Sequence, residues 1–184
     1  MEHIYRKIPG WFTFPNLYKS MVYKFGNNSH FVEVGCRLGQ SASYMAVEII
    51  NSEFNIKFDC IDLFEGWDTF YNEFIENIKP ISEYITPIKL DSISASKLYK
   101  DNSLDFVFID AAHDYESVFN DITYWLPKIK PGGIIAGHDY SNILYPDVKL
   151  AVNDFFNNIN IIEDRKEMCW IVHKKILTNI KNII

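Results

Sequence analysis

The chain has 184 residues, 48% of them hydrophobic, and carries 24 acidic against 18 basic side chains for a formal net charge of −6. That length suits one packed core and is too short for two, so a single domain over residues 1–184 is expected. The Lys and Arg residues form no stripe, which disfavours nucleic acid as a partner. No run approaches the roughly 18 apolar residues of a membrane span, and Met1–Lys7 lacks the apolar core of a signal peptide. Cys36, Cys60 and Cys169 are odd in number and lack metal-ligand spacing. A cytoplasmic protein with reduced thiols and no membrane partner is expected.

In chain order, Ile8–Pro15 is an aromatic, proline-bounded segment, followed by a helix over Asn16–Phe25 that stops at Gly26-Asn27-Asn28. This N-terminal part, residues 1–29, is expected to pack near the ligand site, with Trp11, Phe12 and Phe14 serving packing rather than substrate contact. The apolar run Phe31-Val32-Glu33-Val34 then reads as a strand buried on both faces, and Ser41–Ile50 shows the apolar spacing of a helix. Gly35 and Gly39 in the turn between them permit positive φ and close approach to a ligand. The free N–H groups at the helix start near Ser41 favour an anionic group.

The spacing narrows the ligand. Arg37 and Gln40 stand where G-x-G-x-x-G needs its second and third glycines, which argues against NAD. The pattern Glu33-x-Gly35-x-x-x-Gly39 instead resembles the first motif of the class I S-adenosylmethionine-dependent methyltransferases, whose loop passes under the methionine part of the cofactor. Taken singly, a strand, a turn with two glycines and a helix also arise as plain structure.

Phe58–Leu63 reads as a second strand, with Asp62 at the carboxyl edge where it can accept two ribose hydroxyls. Phe64–Ile78 is helical or loop-like, and its Trp67, Asp68, Phe70 and Tyr71 suit a lid over an adenine. Ile88–Ser92 is expected as a short third strand ending in Asp91-Ser92, and Asp105–Asp110 as a strongly apolar fourth strand that again ends in an acid. Acids also gather at strand ends because turns there are solvated and helix N-termini favour them; for Asp91 that reading is nearly as good as an adenine contact. A helix over Tyr115–Trp125, a turn at Pro131-Gly132-Gly133 and a fifth strand at Ile134–Gly137 follow. A helix over Asp147–Phe156 precedes two closing strands near Asn160–Glu163 and Met168–His173, joined as an antiparallel hairpin by Asp164–Glu167. The fold class expected is α/β, a doubly wound, mostly parallel seven-stranded sheet with an antiparallel C-terminal edge.

Asp110-Ala111-Ala112-His113-Asp114 and Gly137-His138-Asp139-Tyr140 both begin where a parallel strand delivers the chain to the carboxyl edge. Asp110, His113, His138 and Asp139 should therefore converge on one side of the cleft. Two carboxylates and two imidazoles together imply a metal, a proton transfer, or both.

With Lys130-Pro131-Gly132-Gly133 added, the ordered motifs from about residue 30 to 173 resemble the small bacterial methyltransferases grouped with the macrocin (macrolide-sugar) O-methyltransferases. The resemblance implies S-adenosyl-L-methionine as cofactor, contacted by Glu33, Gly35, Gly39, Ser41, Asp62, Leu63, Asp91, Ser92 and Asp110. It further implies a divalent ion, Mg2+ or Mn2+, held by Asp110, His138 and Asp139, with His113 as base and Asp139 beside it in the catalytic pair. One departure stands out. The first member of the acidic pair is His138 here, a poorer ligand for a hard, oxygen-seeking ion, which leaves Asp110 and Asp139 as the firmer ligands.

The chemistry accounts for these residue types. A metal acidifies a coordinated hydroxyl, an imidazole with an ordinary pKa near 6.5 can remove its proton, and alignment of acceptor with sulfonium supplies much of the rest. The expected function is O-methylation of a small hydroxylated acceptor, a sugar or glycoside. Two alternatives stand beside it: metal-independent methylation of another nucleophile, and a catalytically silent cofactor-binding module. Fold alone does not decide among them. Oligomeric state stays open, a homodimer included, and the acceptor-facing loops Gly66–Pro80 and Tyr140–Pro146 carry no recognisable code.

Overall fold

A computed structural model describes residues 1–65, 69–157 and 160–174. Helices and strands alternate as the apolar spacing requires: α1 (Pro15–Phe25), β1 (Ser29–Val34), α2 (Gln40–Ser52), β2 (Ile56–Asp62), α3 (Phe70–Ile78), β3 (Thr86–Lys89), α4 (Ser92–Ser96), β4 (Leu104–Ile109), α5 (Tyr115–Trp125), β5 (Ile129–Gly137), α6 (Pro146–Phe155), β6 (Ile162–Asp164) and β7 (Cys169–His173). The seven strands form one sheet in the order β3-β2-β1-β4-β5-β7-β6. β1 to β5 run parallel, whereas β7 is antiparallel to both β5 and β6, which leaves the short β6 outermost. Among the described residues no helix is long and apolar enough to cross a membrane.

Each face of the sheet is covered by its own helices. On one side α1, α2 and α3 pack Tyr18, Met45 and Phe74 onto Phe31, Phe106 and Phe108; on the other α4, α5 and α6 pack Ala95, Trp125 and Val152 onto Val32, Val107 and Ile135. Neighbouring residues of the central strands therefore go to opposite cores, and a strand buried on both faces must be apolar without interruption. The strand order reverses between β1 and β4, the place where an open parallel sheet splits its connections and leaves a crevice.

Two local expectations change. Pro131-Gly132-Gly133 is not a turn before a strand but lies inside β5: Leu104 pairs with Ile129, yet Phe106 already pairs with Ile134. The surplus residues bulge out of the ladder, Gly132 adopts φ +85°, and a Cβ on Gly133 would stand 2.8 Å from the Asp105 carbonyl. The third strand ends at Lys89, so Asp91 and Ser92 lie beyond it; Asp91 Oδ1 instead accepts the Ser94 N–H at 2.8 Å as the cap of α4. A 3-10 helix at Lys79–Tyr84 lengthens the connection after α3.

The N-terminus of α1 is closed by a residue far away in sequence. The carboxylate of Glu167, itself buried, accepts the Asn16 N–H at 2.9 Å, the Asn16 Nδ2 at 2.7 Å and the Leu17 N–H at 2.9 Å. Donors left over at a helix start are thus satisfied from the β6–β7 connection.

Candidate active site

A cavity of about 720 Å3 opens at the carboxyl ends of β1, β2, β4 and β5. Its floor is the loop after β1. Gly35 has φ +92°, and a Cβ there would lie 2.0 Å from the carbonyl oxygen of Asp110, so only glycine lets the ends of β1 and β4 come this close. Gly39, at φ +88°, is the residue that caps the start of α2, and a Cβ there would press on Phe74 and Ile78 at 3.1 Å. Ser41 lines the cavity, and its hydroxyl donates to Glu33 Oε1. Glu33 itself is fully buried one layer below; neither it nor Gly39 reaches the cavity wall. Burial pushes the Glu33 carboxyl up to about 8 against the pull of Ser41 and Tyr18, and among the described residues neither Glu33 Oε2 nor the Tyr18 hydroxyl has a partner in full hydrogen-bond geometry.

Asp62 ends β2 at the rim. Its two oxygens accept the backbone N–H groups of Arg37 and Phe64, each at 2.7 Å, which fixes the loops after β1 and β2 relative to each other and leaves further lone pairs toward the cavity. Leu63, Asp91 and Ser92 continue the wall. Behind them stands a residue that sequence reasoning missed. Asp121 of α5 is 5% exposed, faces the same cavity, and has its carboxyl raised to about 6 by burial, opposed by a hydrogen bond from Ser92. A signal existed: Asp121 is a charged residue inside the Val118, Ile122, Trp125 stripe of an otherwise amphipathic helix.

At the other end the four expected side chains do converge. His113 Nε2 lies 2.7 Å from Asp139 Oδ2 and 3.9 Å from Asp110 Oδ1, while His138 Nδ1 lies 3.2 Å from Asp139 Oδ1 and 3.7 Å from Asp110 Oδ1. Asp139 reaches this place in a left-handed conformation, φ +58°, of the kind that polar residues at functional sites tolerate. The ligand atoms of Asp110, His113 and Asp139 all lie within 4.8 Å of one another, a set that differs from the expected Asp110, His138 and Asp139. His138 approaches the same carboxylates from the buried side, and its other nitrogen, Nε2, is held by the Thr13 hydroxyl at 2.8 Å.

The electrostatics follow from this packing. Burial works against the charged form of His138, but hydrogen bonds and charge from Asp110 and Asp139 outweigh it and lift the ring to about 9. Burial likewise opposes ionisation of Asp139, yet its bonds to His113 and His138 hold it at about 2. Asp110 is pushed up by burial against the pull of His138, and His113 is raised first by its bond to Asp139. The imidazoles act as counter-ions to the two acids.

The N-terminal segment roofs this end. Phe14 is fully buried on Phe108, ring centroids 4.5 Å apart, and 4.8 Å from the His138 ring, as a packing role requires. Trp11 departs from expectation: it is 82% exposed, lines the cavity mouth and stacks under the Arg37 guanidinium at 5.7 Å. Pro9 and Gly10 before it border the same cavity, and a Cβ on Gly10 would meet the Gln40 side chain at 2.8 Å, so this strap lies against the start of α2. Tyr145, also unforeseen, lies beside the His113 ring at 4.7 Å. Phe70 lines the mouth, whereas Trp67 and Asp68 fall outside the described residues.

This architecture agrees with the comparisons. The methyltransferase-domain family matches residues 32–140, more than half of the chain, and the chain belongs to that family. Its doubly wound sheet is the Rossmann-like methyltransferase fold. An uncharacterized protein of Acanthamoeba polyphaga mimivirus is 34% identical over 88 residues, 46% of this chain; the chain spans about a third of that relative's length, 36%. Among solved structures, the O-methyltransferase NovP superposes with a TM-score of 0.63 at 17% identity, over 86% of this chain and 77% of NovP. CalS11, a TDP-rhamnose 3'-O-methyltransferase, gives 0.64 at 12% identity over 86% and 76%. At such identities these two likenesses concern the fold.

Proposed function

We propose that this chain methylates a hydroxyl group of a small acceptor, a sugar or glycoside, with assistance from a divalent ion, Mg2+ or Mn2+. The observation that carries this reading is the His113–Asp139 pair at the mouth of the cofactor cavity. A sugar hydroxyl is a poor nucleophile until it loses its proton, and an imidazole tied through one nitrogen to a carboxylate is a base whose orientation is fixed. NovP and CalS11 are themselves described as O-methyltransferases, CalS11 acting on a nucleotide-linked sugar.

The residues fit the cofactor. A volume of about 720 Å3 lies within the range of small-molecule sites, with a glycine floor, a carboxylate at the rim for a ribose and a helix start for an anionic end. Bound S-adenosylmethionine supplies an electrophilic methyl group on a sulfonium. His113 would take the proton that the acceptor hydroxyl gives up as its oxygen bonds that methyl carbon and sulfur keeps the electrons of the bond it loses. With Nε2 engaged by Asp139, Nδ1 is the nitrogen that takes the proton. Tyr145 packs on the ring and limits its rotation.

The donor set also fits an ion. Asp110 and Asp139 offer the oxygens that Mg2+ or Mn2+ would take, with water completing the shell, while His113 and His138 face the same carboxylates. Such an ion would lower the pKa of the acceptor hydroxyl. A second reading, methylation without a metal, has its own support in the same geometry, because the His138 ring, lifted to about 9 between Asp110 and Asp139, already offsets their charge. Turnover of labelled cofactor against a panel of glycosides, with and without chelator, tests both. Transfer to a hydroxyl that is lost with EDTA and restored by Mg2+ or Mn2+ supports the first reading, and transfer indifferent to EDTA supports the second. No transfer to any acceptor, with cofactor still bound, points to a silent binding module.

A further inference from the structure

We propose that Asp121 is a specificity-determining residue for the cofactor's adenine, accepting one N–H of its exocyclic amine while Asp91 accepts the other. This rests on the reading of the cavity as the S-adenosylmethionine site. With the glycine loop under the methionine end and Asp62 at the ribose, the base falls between the loop after β2 and the start of α4, against the face of α5. That stretch of wall carries Leu63, Asp91, Ser92, Ile93 and, from α5, Asn120 and Asp121.

Asp121 is not a solvated acid that happens to lie near. It is 5% exposed, yet it borders the cavity. Its orientation is built: Trp125 Nε1–H donates to Ser92 Oγ at 2.9 Å, so the Ser92 hydroxyl is left to donate to the Asp121 carboxylate. Trp125, fully buried, anchors this relay in the core. A carboxylate has more acceptor sites than Ser92 alone uses, and burial makes an unused one costly. Across the wall, Asp91 accepts the Ser94 N–H at Oδ1 and is also held by the Ser94 hydroxyl, and its carboxylate borders the cavity with lone pairs to spare. An exocyclic amine has two N–H donors and meets one acceptor on each side. A carbonyl in the same position, as in hypoxanthine, would set its lone pairs against two carboxylates. Sites built around such donors reject analogues that lack them.

Calorimetric titration with S-adenosylhomocysteine and with S-inosylhomocysteine tests this without turnover. The wild type should bind the adenosyl ligand at least tenfold more tightly, and Asp121→Asn should shrink that ratio about tenfold while its thermal transition stays near that of the wild type. Ser92→Ala, which frees Asp121 to rotate, should shrink the ratio less. If the adenosyl ligand binds and the ratio is the same in wild type and Asp121→Asn, the assignment is wrong and the cofactor reading stands. If the wild type binds neither ligand, the cofactor reading itself fails. Should Asp121→Asn fail to fold, the ratio in wild type and Ser92→Ala decides: no preference in the wild type, or an unchanged preference in Ser92→Ala, overturns the proposal.

Discussion

His113 Nε2 stands 2.7 Å from Asp139 Oδ2, although the two residues leave different strands of the sheet, one just beyond β4 and the other just beyond β5. The pair exists because β4 and β5 are parallel neighbours and Asp139 turns back in a left-handed conformation. A base built this way has a testable pH signature. The bond to Asp139 raises the His113 pKa. The imidazole must be neutral to accept a proton, so activity should fall as pH drops through a value above the ordinary 6.5. His113→Ala should lower kcat by about 10²–10⁴-fold and abolish that acidic limb, with S-adenosylhomocysteine affinity nearly unchanged. Asp139→Asn should shift the limb downward. A limb that persists unaltered in His113→Ala would assign the base to another group.

The acid cluster predicts that ion binding and protons compete. Asp110 and Asp139 face His113 and His138 and favour the protonated form of both rings, so a divalent ion should release protons on binding and bind more weakly as pH falls. Mn2+ affinity followed by its electron spin resonance signal between pH 6 and pH 9 measures this. Asp110→Asn should weaken it strongly. Affinity that does not change with pH would mean that the ion lies elsewhere.

For the cofactor loop, Asp62→Ala should weaken S-adenosylhomocysteine binding by roughly 1.5–3 kcal/mol, since a charge-assisted pair of hydrogen bonds to the ribose is lost. Part of that loss is indirect, because Asp62 also holds the Arg37 and Phe64 N–H groups. Gly35→Ala should be worse, because its Cβ would fall 2.0 Å from the Asp110 carbonyl and force β1 and β4 apart. NAD should not bind either form. Calorimetry that finds Asp62→Ala equal to wild type would remove this residue from the site.

Glu33 makes stability depend on pH. Its folded carboxyl titrates at about 8 against an ordinary value of 4.5. Below 4.5 both folded and unfolded chains hold the proton. Between 4.5 and 8 only the unfolded chain releases it, so stability falls steadily over that window and levels off above it. At about 1.4 kcal/mol per unit, the loss is on the order of a few kcal/mol. Glu33→Gln keeps a neutral side chain that can still accept from Ser41. Denaturant midpoints at pH 5 and pH 8 should therefore diverge less in that variant than in the wild type, and equal divergence would show that Glu33 titrates normally.

Much of the site was legible because a parallel sheet delivers its strand ends to one edge. An acid or imidazole just past an apolar run, such as Asp62, Asp110 or His138, is thereby placed to within a few ångströms. What stayed hidden depends on register and on contacts between distant segments. Thr13 reaches His138 across 125 residues, and nothing local to either one announces it. The bulge in β5 could not be read from Pro131-Gly132-Gly133, since the same triplet serves a turn equally well. Trp11 was misread because composition ranks tryptophan as core, whereas this segment has its core places filled by Phe12 and Phe14.

The cap that Glu167 places on α1 has a consequence for the order of assembly. Its hydrogen bonds to Asn16 and Leu17 span 151 and 150 residues, so they close one of the longest loops the chain can make, and contacts of that separation form late. The strap bearing Thr13 hangs from that helix start. Synthesis from the N-terminus therefore yields every ligand-facing strand end up to Asp139 before the roof can lock. Stalled nascent chains that stop short of residue 167 should bind S-adenosylhomocysteine weakly or not at all, and those released beyond the β6–β7 hairpin should bind it fully.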